Sequence, residues 1–161
     1  MRRAIISGAC AAALLASSAL GAQASTTHGR LTCPGATPAA TSSPFDGTWE
    51  RTLPYDAWVA AGLDPIDWWT NGGRHTLTLD HGIWLDHDVV PGNPPDACGS
   101  FTVRRGTLTA DITAVGGATI DRFTLFTSRP VEAHETLTLN QTSSIDDVAA
   151  YLFAGTWTEA E

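Results

Sequence analysis

The run Phe45-Asp46-Gly47-Thr48-Trp49 constrains this chain more than any other, because it is echoed near the far end by Gly155-Thr156-Trp157. Glycine permits a tight backbone approach, and a tryptophan two residues later can fold a large apolar ring under a sheet that is closing on itself. The two runs therefore predict a small β-barrel in which Gly47, Trp49 and Trp157 form the plug. A closed barrel of this size has either a packed interior or a pocket for one small ligand, which narrows function to that choice.

The pattern between the two runs is that of a strand meander. From Gly47 to Leu53, Trp49, Arg51 and Leu53 alternate against Thr48, Glu50 and Thr52, and Pro54 ends the strand. Tyr55, Trp58 and Val59 then fall at helical spacing and Gly62 supplies a stop, so a short helix over 55–63 is expected across one barrel mouth. Asp64-Pro65 and Asn71-Gly72-Gly73 read as turn chemistry around Ile66, Trp68 and Trp69. Residues 74–79 and 83–90 form a hairpin around Asp80-His81-Gly82, and 99–104 and 107–113 form another around Arg105-Gly106. Strands over 119–128 and 135–140 follow. Ser143 or Ser144 can cap a helix carrying Ile145, Val148 and Leu152 on one face, with Asp146 and Asp147 in its first turn. The expected fold is all-β: an antiparallel up-and-down β-barrel of about eight strands, with one short helix after strand 1 and one before the last strand. Strand counting leaves a two-sheet sandwich open as the alternative.

The chain begins with Met1-Arg2-Arg3, an apolar run over 4–20 and the small-x-small signal Ala22-Gln23-Ala24. Residues 1–24 are read as a signal peptide cleaved after Ala24, which predicts a secreted, extracellular protein. The apolar run is short for a span and broken by glycine and serine, and no later run could span. Of the nine basic residues the leader removes two and of the seventeen acidic ones none, so the remainder is more acidic than the whole chain at −8, and it holds no lysine. Such a surface is a poor partner for nucleic acid or an anionic membrane. Residues 25–44, rich in Thr, Ala, Pro, Ser and Gly, read as a flexible N-terminal arm, and 45–161 as the barrel domain. Cys33 and Cys98 are expected to form a disulfide in an oxidising compartment, with two free thiols as the alternative.

The Gly47-Thr48-Trp49 opening resembles the Gly-x-Trp start of the calycin superfamily, which comprises lipocalins, fatty-acid-binding proteins and avidins. Phe45-x-Gly47-Thr48-Trp49 followed by a helix is most similar to the fatty-acid-binding branch. The wider layout over 45–158 also resembles small secreted calycin-like domains of actinobacteria. The resemblance implies a barrel with an interior cavity for an apolar small molecule. Several family features are missing: Thr156-Trp157-Thr158 carries no arginine to pack over the motif tryptophan, and no Arg-x-Tyr run lies near the C-terminus.

Two groups of side chains could carry chemistry. The first is His75, Asp80, His81, Asp86, His87 and Asp88. A two-residue turn at His81-Gly82 would set His75 opposite Asp88, whereas a bulge at Gly82 would set it opposite His87 and make His75 and His87 candidate metal ligands. A solvated acidic edge accounts for the same residues without chemistry. The second group is aromatic. Trp58, Trp68, Trp69, Trp84 and Phe123 are candidates to line a ligand site, with Arg122 or His75 as its polar anchor, although an ordinary aromatic core under a lid uses the same residues.

No catalytic residue and no cofactor is assigned, and Gly72-Gly73 and Gly116-Gly117 read as turns rather than phosphate-cradling loops. The expected function is a non-membrane-spanning, secreted barrel that binds an apolar or amphipathic, lipophilic small molecule in its interior. The alternative is a filled barrel acting as a non-enzymatic interaction module for a cell-envelope protein partner. An enzyme using His75, Asp86, His87 and Asp88 comes third.

Overall fold

The computed structural model of the protein describes residues 31–88 and 97–161. The predicted leader, residues 25–30 and the segment 89–96 lie outside the described residues. Eight antiparallel strands close into one barrel in chain order: β1 Gly47–Leu53, β2 Gly73–Asp80, β3 Ile83–Asp88, β4 Ala97–Arg104, β5 Thr107–Val115, β6 Ala118–Ala133, β7 Thr136–Ser144 and β8 Gly155–Glu159. Helices α1 Tyr55–Ala60 and α2 Pro65–Asn71 join β1 to β2, and α3 Asp147–Phe153 joins β7 to β8. Pairing of Trp49 with Glu159 and Glu50 with Thr158 closes the ring, so the sandwich alternative is excluded.

The two ends of the barrel are built from different connections. At one end the chain reverses in two residues after β2, β4 and β6; at the other it runs through the helices and Gly116-Gly117. His81 and Gly82 have φ of 47° and 79°, and Arg105 and Gly106 have φ of 52° and 75°. Positive φ at both central residues is the type I′ geometry, whose twist matches that of the flanking strands. The first of these turns sets the register Leu79↔Trp84, Leu77↔Asp86 and His75↔Asp88.

That register corrects one expectation. His75 and His87 do not form a metal-binding pair: His87 lies opposite Thr76, and strand alternation puts it on the other face of the sheet from His75. The bulged alternative would have grouped apolar residues across the hairpin, but the tight turn decides the register first.

Trp49 and Trp157 are 4% and 1% exposed and belong to one cluster with Leu77, Leu79, Trp84, Phe101, Leu108, Phe126, Leu137, Leu139 and Phe153. The Trp49 indole donates to Phe45 O at 3.2 Å. A Cβ on Gly47 would stand 3.3 Å from that ring, so the motif glycine lies directly against its own tryptophan. On the opposite wall Gly99 sits at a register shift in the β4–β5 pairing, where a Cβ would come within 1.8 Å of Asp111 O.

Three elements differ from expectation. Asp64-Pro65 starts a helix rather than a turn: the Asp64 carboxylate accepts from Ile66 N at 3.0 Å and Pro65 occupies the first turn of α2. Strand β6 continues through Arg129-Pro130 to Ala133, past an irregularity at Thr127/Ser128. The cap of α3 is Asp146, accepting from Ala149 N at 2.7 Å, rather than Ser143 or Ser144, and this leaves Ile145 outside the helix and exposed.

Residues 31–44 form no helix or strand, and Cys33 is bonded to Cys98 across a separation of 65 residues. Further contacts hold this segment to the outside of the barrel. Leu31 N donates to Asp80 Oδ2 at 2.9 Å, Ala39 N to His81 O at 2.5 Å, and Thr113 Oγ1 to Pro34 O at 2.8 Å. Together they cover Ile83, Cys98 and Ala114 on the outer face of β3, β4 and β5.

Two stability outcomes are expected from thermal and urea unfolding. Gly99→Ala should cost about 1–3 kcal/mol or more, since the clashing atom is backbone and cannot turn aside. Replacing both Cys33 and Cys98 by serine should cost about 4 kcal/mol through the freed loop, with a wild-type far-UV spectrum retained below the transition.

Candidate functional site

His75 and Asp86 stand inside the barrel at its helix end. Strand alternation turns His75, Leu77 and Leu79 inward from β2, so the imidazole stands at the end of an apolar row. Across the hairpin Asp86 faces the same interior, and its Oδ1 lies 3.3 Å from His75 Nδ1. The other ring nitrogen, Nε2, lies 3.1 Å from Asn71 O at the end of α2. A carbonyl oxygen can only accept, so Nε2 carries a hydrogen and Nδ1 is the nitrogen turned toward the carboxylate. His75 is 3% exposed, and the Asp86 side chain 12%.

These groups form the polar side of a cavity of about 260 Å³. Its apolar side is made by Ile112, Val115, Leu125, Val148, Leu152 and Phe153, and Asp146 stands at its margin. The cavity therefore occupies the helix end of the barrel, while the tryptophan and phenylalanine cluster fills the turn end. Phe153 belongs to both, stacked 4.7 Å from Phe126 and edge-on to Trp84 at 5.8 Å.

Helix α3, which walls one side of the cavity, is held by Arg51. The guanidinium Nη1 donates to Tyr151 O at 3.2 Å, Leu152 O at 3.3 Å and Ala154 O, carbonyls at the C-terminal end of α3 that would otherwise lack partners. A cation there also meets the negative end of the helix dipole. The Arg51 head lies 5.6 Å from the Tyr151 ring centroid and 6.0 Å from that of Trp157, and burial pulls its pKa below the ordinary value. The last strand indeed lacks an arginine over the first-strand tryptophan. In its place an arginine of β1 packs over the tryptophan of β8.

Of the candidate residues named from sequence, His75 and Asp86 line this cavity. Trp84 lies just below it, fully buried, with its indole donating to Asp111 O at 2.9 Å. Trp58 is buried between the helices, donating to Asp64 O and edge-on to Tyr151 at 5.4 Å. Trp68 donates to Leu53 O at 2.9 Å and covers Gly72, where a Cβ would come within 2.1 Å of the indole. Trp69 is 71% exposed, and Phe123, on β6 beside Ile112, is 39% exposed. Arg122 points to the barrel exterior, where it pairs with Asp111 at 2.5 Å. Sequence reasoning missed Arg51 and gave Asp146 only a place in the first turn of a helix capped by Ser143 or Ser144. The apolar wall from β5, β6 and α3 is ordinary alternation and carries no motif.

A second group, Asp46, Asp80 and His81, places one donor atom from each residue within 4.8 Å of the others. Those atoms are bound into the local structure. Asp46 Oδ2 accepts from Ser43 N and His81 N, Asp80 Oδ1 pairs with His81 Nδ1 at 2.5 Å, and Asp80 Oδ2 receives Leu31 N. The cluster fastens the β2–β3 turn to the start of β1 and to the N-terminal segment.

Comparison of the chain with models of protein families, with curated proteins and with solved structures finds no match. No helix of the described residues is long and apolar enough to cross a membrane.

Two outcomes follow from this geometry. Arg51→Met keeps an apolar stem but removes the donors, and should cost about 1–3 kcal/mol with faster hydrogen exchange confined to α3 and the adjoining end of β8. Burial alone would raise the Asp111 carboxyl, but hydrogen bonds from Thr124 and Arg122 and the charge of Arg122 outweigh it and hold the group below the usual aspartate range. A carboxyl depressed in the folded state contributes stability above its unfolded pKa and loses it as pH falls through the folded one. Wild type should thus lose its advantage over Asp111→Asn on acidification below about pH 4, measured by urea midpoints across pH.

Proposed function

We propose that this protein is an exported barrel that holds a compact amphipathic molecule in the cavity at its helix end. The observation that carries the reading is the division of the interior. Aromatic rings fill one end, whereas the other keeps about 260 Å³ between an apolar wall and the His75–Asp86 pair. One apolar wall with a few convergent polar groups is the usual composition of a small-molecule site. The volume is below the roughly 300–1,000 Å³ typical of drug-sized ligand sites, which favours a small occupant. The calycin resemblance supports the same reading through the shared Gly-x-Trp plug.

A second reading, an interaction module for a cell-envelope protein, is favoured by a different observation. Ile66 and Trp69 on α2 are 70% and 71% exposed, and Tyr55 and Val59 on α1 are 42% and 43% exposed. Apolar side chains presented together on neighbouring helices suit a partner surface.

Titration with small hydrophobic dyes tests the first reading. Binding should shift the emission of Trp84, which touches the cavity through Phe153. Leu125→Trp, which fills the cavity, should abolish dye binding with the circular dichroism spectrum retained. Retained binding in that variant places the ligand elsewhere. Ile66→Ser with Trp69→Ser should leave dye binding unchanged and remove any envelope-protein partner required by the second reading.

A further inference from the structure

We propose that the cavity selects a cationic amine head on a short apolar body and discriminates against carboxylates, an inference that rests on the cavity being the ligand site. The charged residues lining it are His75, Asp86 and Asp146, two carboxylates and one imidazole. No arginine of the described residues lines it. Arg51 is committed to the α3 carbonyls, Arg74 pairs with Glu50 at 2.5 Å, and Arg122 pairs with Asp111. Arg104 and Arg105 belong to the turn end, and Arg129 is exposed on β6. The chain has no lysine, and residues 89–96 contain no basic residue. A carboxylate head would meet Asp86, and Arg51, opposite His75 on β1, already gives its donors to the α3 carbonyls. Buried charge without a partner is costly, so that head group is disfavoured.

The hydrogen-bond pattern points to the same chemistry. With Nε2–H given to Asn71 O, a neutral His75 presents Nδ1 as an acceptor 3.3 Å from the Asp86 carboxylate. Two acceptors at that distance are bridged by a donor. Either a proton on Nδ1 serves, making an imidazolium–carboxylate pair, or the N–H groups of a bound ammonium do. A bound ammonium can therefore supply the donor that this pair of acceptors calls for. The other charged groups near His75 are Arg51, opposite it on β1, and Asp146, the cap of α3. Helix α2 presents the uncharged Thr70 and Asn71.

The test is calorimetric titration of the full chain with 3-phenylpropylamine, 3-phenylpropanol and 3-phenylpropanoate, which share a body and differ in head charge. At pH 8 the amine is expected to bind at least about tenfold more tightly than the alcohol, with the carboxylate weakest. Asp86→Asn should erase the preference for amine while keeping alcohol binding. Asp146→Asn, which retains an oxygen to cap α3, should reduce that preference and serves if the first variant does not fold. Equal binding of all three probes, or a carboxylate matching the amine, overturns the selectivity and leaves the ligand site standing. Binding of none of the three at millimolar concentration overturns both.

Discussion

The guanidinium of Arg51 is the interaction on which the helix end of this barrel depends. The ring closes between β1 and β8 through only two paired positions, reinforced by Ala160 N donating to Thr48 O at 2.9 Å. Arg51 adds a side-chain tie next to that seam, reaching from the first strand to the end of the helix that leads into the last one. It also lies over Trp157, the aromatic ring of the last strand. One residue therefore joins seam, plug and cavity wall. Burying that charge is tolerable because α3 supplies carbonyl oxygens where its own hydrogen-bond ladder ends.

What could be read from sequence follows from which forces are local. The meander was legible because type I′ turns, alternating strands and the Gly-x-Trp runs each act within a few residues. The hairpin register around His81 was ambiguous, since hydrophobic grouping favoured a bulge and turn geometry a two-residue loop. Turn geometry won, helped by Asp46 and Asp80, which hold the turn from outside it. Asp64-Pro65 was misread because the same dipeptide starts turns and helices; the downstream pattern Ile66, Trp68, Trp69 shows no clear apolar stripe. The candidate site was less legible than the fold. His75 could be singled out as a histidine in a strand, but its partner Asn71 acts through a backbone carbonyl, which no side-chain pattern announces. Arg51 looked like one polar position in an alternating strand, and its role depends on a helix about a hundred residues later.

The tryptophans show why residue type alone was a poor guide to the site. None of the five aromatic residues proposed for ligand binding lines the cavity, and Phe123 is partly exposed on β6. Trp58 and Trp68 anchor helices through indole N–H bonds to backbone carbonyls, Trp84 fills the core, and Trp69 faces solvent. An indole that satisfies its N–H within the fold serves mainly as packing. The cavity instead has aliphatic walls with Phe153 at its base, and what distinguishes it is its charge. Its polar pole, Asp86 and Asp146 beside His75, matches the acidity of the whole chain.

The narrow seam also bears on how the chain reaches this state. Seven of the eight strand interfaces join neighbours in sequence and can form as local hairpins or short crossings. The eighth joins residues such as Glu50 and Thr158, 108 apart, and so carries the largest loop-closure entropy in the molecule. Until it forms, β1 and β8 are both open edges with unpaired backbone groups, and each carries a large apolar ring. Closure of the last interface is thus the step at which folding and self-association compete, and crowding of nascent chains would be felt there first.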